Sequence, residues 1–317
     1  MKYLFFDIEC AFVTKKSAKI CAFGYCLTDE KFNILKKEDI LINPQGSFHL
    51  TDRKGEQGLV LPYAYGEFKK YPTFPEVVDK IRGLLESPDT LVAGHATMND
   101  VKYLNLESGR FSLPSFNFSF ADTQFVYMNK IGEFSRQFAL GKIAEALSVD
   151  FVAHKAVDDA YATMKIAEAM CKEAETDFVG LIEKYQISLG KIENYEITQA
   201  TSVAFDEYLE LLRKRKEERE KARMLFHNFV DKEKRKRAKD GKLKGKSVCF
   251  SHAITFETAT AKALVSKLFA QGGFYSFRAE ECDIYVYQDG ESGPRIQSAS
   301  NNKARLVSLD EFVLILN

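Results

Sequence analysis

Apolar, aromatic and β-branched residues come in three short runs over the first 42 positions, YLFFDI, KICAFGYCL and ILKKEDILI, each closed by polar residues. Runs of that length and composition predict three strands in a meander. Gly and Pro interrupt the pattern from 43 to 75, which predicts a loop-rich passage. From 75 to 85 the spacing becomes that of a helix face, with Val77, Val78, Ile81, Leu84 and Leu85 on it. A short buried strand is predicted at 91–94 and helices at about 99–107 and 138–147. A further helix starts near Val157, where Ala160, Met164, Ala167 and Cys171 make one apolar stripe. Strands followed by alternating strands and helices predict a mixed α/β arrangement, a sheet with helices packed on it.

Past residue 175 the chain has no proline until 294 and grows increasingly charged, so 176–241 predicts a helical charged linker. A second compact unit is expected over 242–317. There KSVCFS predicts a strand, 257–270 a helix stopped by Gly272 and Gly273, and DIYVY another strand. Ser308 and Glu311 have the spacing of a capping box for a last helix, with Val307 and Phe312 as its hydrophobic staple.

Composition narrows the class. Of 317 residues 45% are hydrophobic and 28% charged, which excludes disorder as the main state. No apolar run approaches the roughly 18 residues that span a bilayer, and the amino terminus meets Asp7 and Glu9 too early for a secretion signal. A cytoplasmic protein is expected. The six cysteines include no CxxC pair and the five histidines no zinc-finger spacing, so reduced, buried thiols and no structural zinc are expected. Forty-five Lys and Arg balance 45 Asp and Glu, yet 213–246 holds 16 basic residues against 6 acidic, a net of +10. That arm reads either as a solvated helical connector or as a contact to nucleic-acid phosphates.

Three acidic motifs carry the candidate chemistry. Asp7 and Glu9 lie two apart in an apolar strand, so both point to one face. GHATMND sets Asp100 at a helix start, and HKAVDDA sets His154 five residues before Asp159. Taken singly, each also reads as a solvated strand end, a first-turn acid stabilised by the helix dipole, or a loop and cap. Together and in this order, FDIE, GHxxxxD and HxAxDDA over about residues 1–175 resemble the DEDDh superfamily of 3′–5′ exonucleases. That group contains the proofreading exonuclease subunit of bacterial replicative polymerases, RNase T and oligoribonuclease.

The resemblance implies an RNase H-like fold and two divalent cations, Mg²⁺ or Mn²⁺, about 4 Å apart. By matching positions, Asp7 would bridge the two, Glu9 and Asp159 would hold the ion that activates water, and Asp100 would hold the second. His154 matches the general base. Asp159 is chosen over Asp158 because four residues separate the family's His from its metal-binding Asp. Two departures stand out: Cys10-Ala11-Phe12 follows Glu9 where Thr, Ser or Gly is common, and Ala96 follows His95 where Asn is common. A longer aromatic stretch from Phe48 to Phe74, with Tyr63, Tyr65, Phe68 and Tyr71, reads either as loop packing or as stacking on bases.

Residues 242–317 resemble a BRCT domain in LKGKSVCFS, Gly272-Gly273-Phe274, DIYVY and ARLVSLDEFVLIL. Ser251-His252 stands where that family often has Thr-Gly, and Phe312 where it often has Trp. Ser251 reads as a structural turn before a phosphate ligand. The two resemblances imply an enzyme that releases 5′-mononucleotides from a single-stranded 3′ end in DNA replication or repair, DNA ahead of RNA, with a protein partner for the BRCT-like unit. RNA 3′-end processing and a non-catalytic adaptor are the rivals.

Overall fold

A computed structural model describes residues 1–46, 65–150 and 155–317. Phe48, Tyr63 and His154 lie outside the described residues. The chain divides into two units, Met1–Leu209 and Glu210–Asn317.

The first unit opens with the expected meander: β1 (Lys2–Val13), β2 (Ala18–Asp29) and β3 (Ile34–Leu41) pair antiparallel. Then come α1 (Tyr65–Phe68), α2 (Phe74–Leu85), β4 (Thr90–Gly94), α3 (Met98–Arg110), β5 (Phe118–Asp122), α4 (Thr123–Ile131), α5 (Leu140–Ala146), α6 (Ala156–Ala174) and α7 (Phe178–Lys184). Four short strands follow, β6 (Ile187–Ser188), β7 (Gly190–Glu193), β8 (Glu196–Thr198) and β9 (Thr201–Ser202). The main sheet runs β3-β2-β1-β4-β5-β7-β8, with β4 and β5 parallel to β1 and the other neighbours antiparallel. It is the mixed sheet with flanking helices expected of an RNase H-like fold.

Alternation along β1 sorts its side chains between two cores. Tyr3 and Phe5 pack with α6 residues Met164 and Ala167, whereas Leu4, Phe6 and Ile8 pack with α2 and α3 through Ile81 and Leu104. A strand buried on both faces reads as a continuous apolar run, which is why YLFFDI shows no period.

Two expectations need correction. The stretch 176–241 is not helical throughout, because β7 and β8 extend the main sheet beyond residue 175. Gly190 lets β7 cross the Phe120 ring, where a Cβ would come within 2.4 Å of it. Helix resumes only with α8 (Val203–Glu233). Near the carboxy terminus, the Ser308 hydroxyl accepts the Glu311 N–H at 3.2 Å, but the Glu311 carboxylate pairs with Arg305 at 2.5 Å instead of returning to the cap. A charged partner outcompetes the neutral backbone donor for that carboxylate.

The second unit takes in α8 from Glu210 onward, followed by β10 (Ser247–Phe250), α9 (His252–Phe256), α10 (Thr258–Ala270), β11 (Phe274–Tyr275), β12 (Ile284–Tyr287), α11 (Pro294–Asn301), β13 (Arg305–Ser308) and α12 (Leu309–Leu316). Its sheet is all parallel in the order β11-β10-β12-β13. Phe312 fills its core against Phe250, the place where Trp was missed. All six cysteines are free and five are buried, Cys10 being half-buried. No helix among the described residues is long and apolar enough to cross a membrane.

Candidate active site

Asp7 and Glu9 continue the face of β1 that Tyr3 and Phe5 occupy, so the strand presents two acids where its core-forming residues end. The β1–β2 ladder slips immediately after Glu9. A bulge at that point ends the regular alternation and fixes which way Glu9 faces.

The third acid arrives from α6. In the β-ladder Asp7 is opposite Gly24, and Gly24 opposite Asp39. A Cβ on Gly24 would lie 2.0 Å from the Ala156 carbonyl carbon and from the Val157 nitrogen. Glycine is what lets the start of α6 lie directly on β2. With the helix seated there, Asp159 in its first turn reaches the strand acids, and one carboxylate oxygen from each of Asp7, Glu9 and Asp159 falls within 4.8 Å of the others. Asp158 turns to Lys37 at 3.1 Å.

Asp100 comes from the opposite layer. β4 pairs with β1 only as far as Phe5, and beyond that point the exposed edge of β1 is met by α3, whose Asp100 Oδ1 accepts the Ile8 N–H at 3.2 Å. Asp100 is buried and lies close enough to Asp7 to be the strongest of the neighbouring charges acting on it.

The loop leading to α3 is held by Asp122, an acid that sequence reasoning missed. Its carboxylate accepts the Ala96 and Thr97 N–H groups at 3.0 and 2.9 Å and caps α4 through Gln124 at 2.9 Å. Ala96 takes a left-handed conformation, φ 54°. His95 turns inward, with Nε2 donating to the Phe138 carbonyl at 3.0 Å and Nδ1 facing the Thr123 hydroxyl at 3.2 Å. Burial pushes its imidazole down to about 4, so at neutral pH it is an uncharged fastener.

The cluster is electrostatically strained. Burial first, and then Asp100, Glu9, Asp159 and Asp39, hold the Asp7 carboxyl well above the usual range. Burial followed by Asp159 and Asp39 pushes Glu9 up to about 7, and burial foremost holds Asp100 well above its ordinary value. Asp122 rises only to about 6, because its four N–H donors offset part of the burial cost. Like charges held together out of water are relieved by a proton or a cation. Convergent carboxylate oxygens are the donor set that a hard divalent cation prefers, so the residues present fit the metal the sequence implied.

The structure thus brings together Asp7, Glu9, Asp100 and Asp159, while His154 lies outside the described residues. Sequence reasoning also passed over Asp39 and Tyr103. Tyr103 sits one turn after Asp100 on α3, and burial, then Cys10 and the site acids, push its phenol up to about 12. The spacing of three from Asp100 was the available signal. Of the aromatic stretch, Phe68 is buried against Ala11 and Cys21, and Tyr71 is partly exposed.

A family profile described as Exonuclease (RNase T) matches residues 4–167, more than half of the chain. No curated protein matches it. Among solved structures the chain is similar to a 3′-exonuclease described for 3′-end specific recognition of a histone mRNA stem-loop, at 15% identity over 64% of this chain and 91% of that one, TM-score 0.49. It is also similar to the nuclease domain of 3′hExo, a DEDDh family member, bound to rAMP (18% identity, 54% and 92% coverage, TM-score 0.46). A third is a moderately thermophilic exonuclease I from Methylocaldum szegediense (13%, 58% and 43%, 0.46).

Proposed function

The chain belongs to the exonuclease (RNase T) family, and from that premise we propose that it is a metal-dependent 3′–5′ exonuclease of the DEDDh kind, releasing 5′-mononucleotides from nucleic-acid 3′ ends, DNA ahead of RNA. The observation that carries the reading is the convergence of Asp7, Glu9 and Asp159 within 4.8 Å, with Asp100 beside them. A degenerate, purely binding relative would not keep four converging acids together at their cost in folding energy.

In this reading Asp7, Glu9, Asp100 and Asp159 would hold two divalent cations, Mg²⁺ or Mn²⁺. When bound, such ions neutralise charge on the scissile phosphate and make water a better nucleophile near neutral pH. His154 accepts the proton of the attacking water, a role that an imidazole side chain suits near neutral pH. Asp122 holds the turn at Ala96 and Thr97 and through it the start of α3, so it positions Asp100 without touching substrate. Asp158, engaged with Lys37, has no part in the chemistry.

The second unit is proposed to be BRCT-like and to bind a protein partner. LKGKSVCFS and DIYVY supply adjacent parallel strands, and Ser251 is the cap of α9, accepting the Ile254 N–H at 3.4 Å. The setting proposed is DNA replication or repair in the cytoplasm.

The deciding measurement is turnover on 3′-labelled single-stranded DNA, duplex DNA and RNA with Mg²⁺, Mn²⁺ or EDTA. Metal-dependent release of 5′-mononucleotides, abolished in EDTA and reduced about 100-fold or more by His154→Ala, is the expected result. Faster turnover on RNA would reassign the substrate, and full activity in EDTA would sink the metal-dependent mechanism.

A further inference from the structure

The second unit contains a cavity of about 580 Å³ between α8, α9, α11 and the end of β11. That is the size of pocket that encloses a small organic ligand. Its lining includes Arg219, Arg223 and Arg295, together with His227 and His252, and includes no Asp or Glu among the described residues. None of the three arginines is ion-paired among the described residues, although Arg213 on the same helix pairs with both Glu210 and Glu217.

Arg295 is the most constrained of them. Half-buried, it donates from Nη2 to the Phe277 carbonyl at 2.9 Å and to the Cys249 sulfur at 3.2 Å, and its Nε has no hydrogen-bond partner among the described residues. A guanidinium that no carboxylate pairs with leaves its charge unneutralised beside the cavity. The rest of the wall is aromatic. Arg219 lies over the Phe256 ring at 5.3 Å, and the His227 ring stacks on Phe277 at 3.6 Å. Burial first, then Arg295 and Arg223, hold His252 below the usual imidazole range, and burial with Arg223 does the same to His227. Asp231 and Glu291, the acids that act on these two rings, oppose that shift without reversing it. A site that is both cationic and ring-walled suits an anion joined to a planar ring.

We propose that this cavity binds a nucleoside 5′-monophosphate, with the phosphate on Arg295 and Arg223 and the base against the aromatic wall. The nucleotide could be free or the 5′-terminal residue of a strand. The inference rests on the cavity alone and not on the exonuclease reading. Lys and Arg elsewhere on α8 could attract any phosphate, whereas the cavity sets ring surface beside three guanidinium groups, one of them held in place by the Phe277 carbonyl.

The test is calorimetric titration of the full chain in EDTA with AMP, adenosine, inorganic phosphate and a phosphoserine peptide. AMP should bind at one site, at least about tenfold tighter than adenosine or phosphate. Arg223→Gln and Arg295→Gln should each weaken it by at least about tenfold. Arg223 is solvent-exposed, so its substitution leaves the fold intact even if Arg295→Gln does not. Asp7→Asn should leave AMP binding unchanged, and Arg223→Gln should leave turnover of short oligonucleotides unchanged, which separates failure here from failure of the nuclease proposal. Tighter binding of a 5′-phosphorylated than a 5′-hydroxyl oligonucleotide, dependent on Arg223, would identify the strand end as the source; AMP binding without that difference would identify the free nucleotide. The proposal is overturned if Arg223→Gln has no effect, if AMP binding disappears with Asp7→Asn, or if the phosphoserine peptide binds more tightly than AMP.

Discussion

Asp7 pulls folding and chemistry in opposite directions. Its folded-state pKa is raised by burial and by four neighbouring acids. The stability it contributes is therefore complete below its unfolded value near 3.9 and is lost as pH rises through the folded value. Glu9, raised to about 7, adds to the same loss between roughly pH 4.5 and 7. Metal-free Asp7→Asn should be more stable than the parent by on the order of 2 kcal/mol at about pH 8, with the gain shrinking toward pH 5. Thermal denaturation in EDTA checks the first effect, and loss of turnover on a 3′-labelled strand checks the accompanying cost. His95 has the opposite sign. Its folded pKa of about 4 lies below the ordinary imidazole value near 6.5, so its contribution is present above 6.5 and lost as pH falls through 4. Between pH 7 and about 4.5 that loss is of order 2 kcal/mol. Urea denaturation of His95→Gln, whose amide can still donate to Phe138, should show a shallower acid limb than the parent. The acids were legible because carboxylates spaced two apart in an apolar strand are conspicuous. Asp39 and Asp122 were not, since each is an ordinary acid in a polar context until the sheet and the α3 loop fold around it.

Among the elements, β1, β2 and α6 could be read from their patterns because burial on a sheet or along one helix stripe forces those patterns. β7 and β8 could not. GKIE and EIT are only four and three residues long, with Ile192 the one fully buried side chain between them and β8 forming the sheet edge, and strands that short need few apolar residues to add to a sheet that already exists. The seating of α6 on β2 was equally silent, because it depends on an atom that is missing at Gly24. Gly24→Ala should destabilise the protein by roughly 1–3 kcal/mol through overpacking. It should also lower turnover well beyond what the stability loss explains, since pushing α6 outward withdraws Asp159 from Asp7 and Glu9. Denaturation midpoints and turnover measured on the same preparation test this, and a variant that unfolds more readily but cleaves normally would separate helix seating from the site.

For the whole chain, the fold moves the useful boundary. A fragment ending near 175 would lack α7, whose Phe178 and Leu181 are buried in the core, as well as β7 on the open edge of β5. Residues 1–209 should fold and cleave short oligonucleotides, whereas 1–175 should not give a cooperative unfolding transition. Binding of a long single strand by 1–209 should depend less on salt than that of the full chain, because the net +10 of 213–246 is gone. Equal salt slopes would show that the arm makes no phosphate contacts. The buried thiols supply a way to watch the two units separately. Cys21, Cys26 and Cys171 are buried in the first unit, and Cys249 and Cys282 in the second. A thiol reagent added during gentle unfolding would therefore be consumed by these in groups of three and of two, and mass spectrometry of the trapped protein would tell which unit opens first without any engineered label.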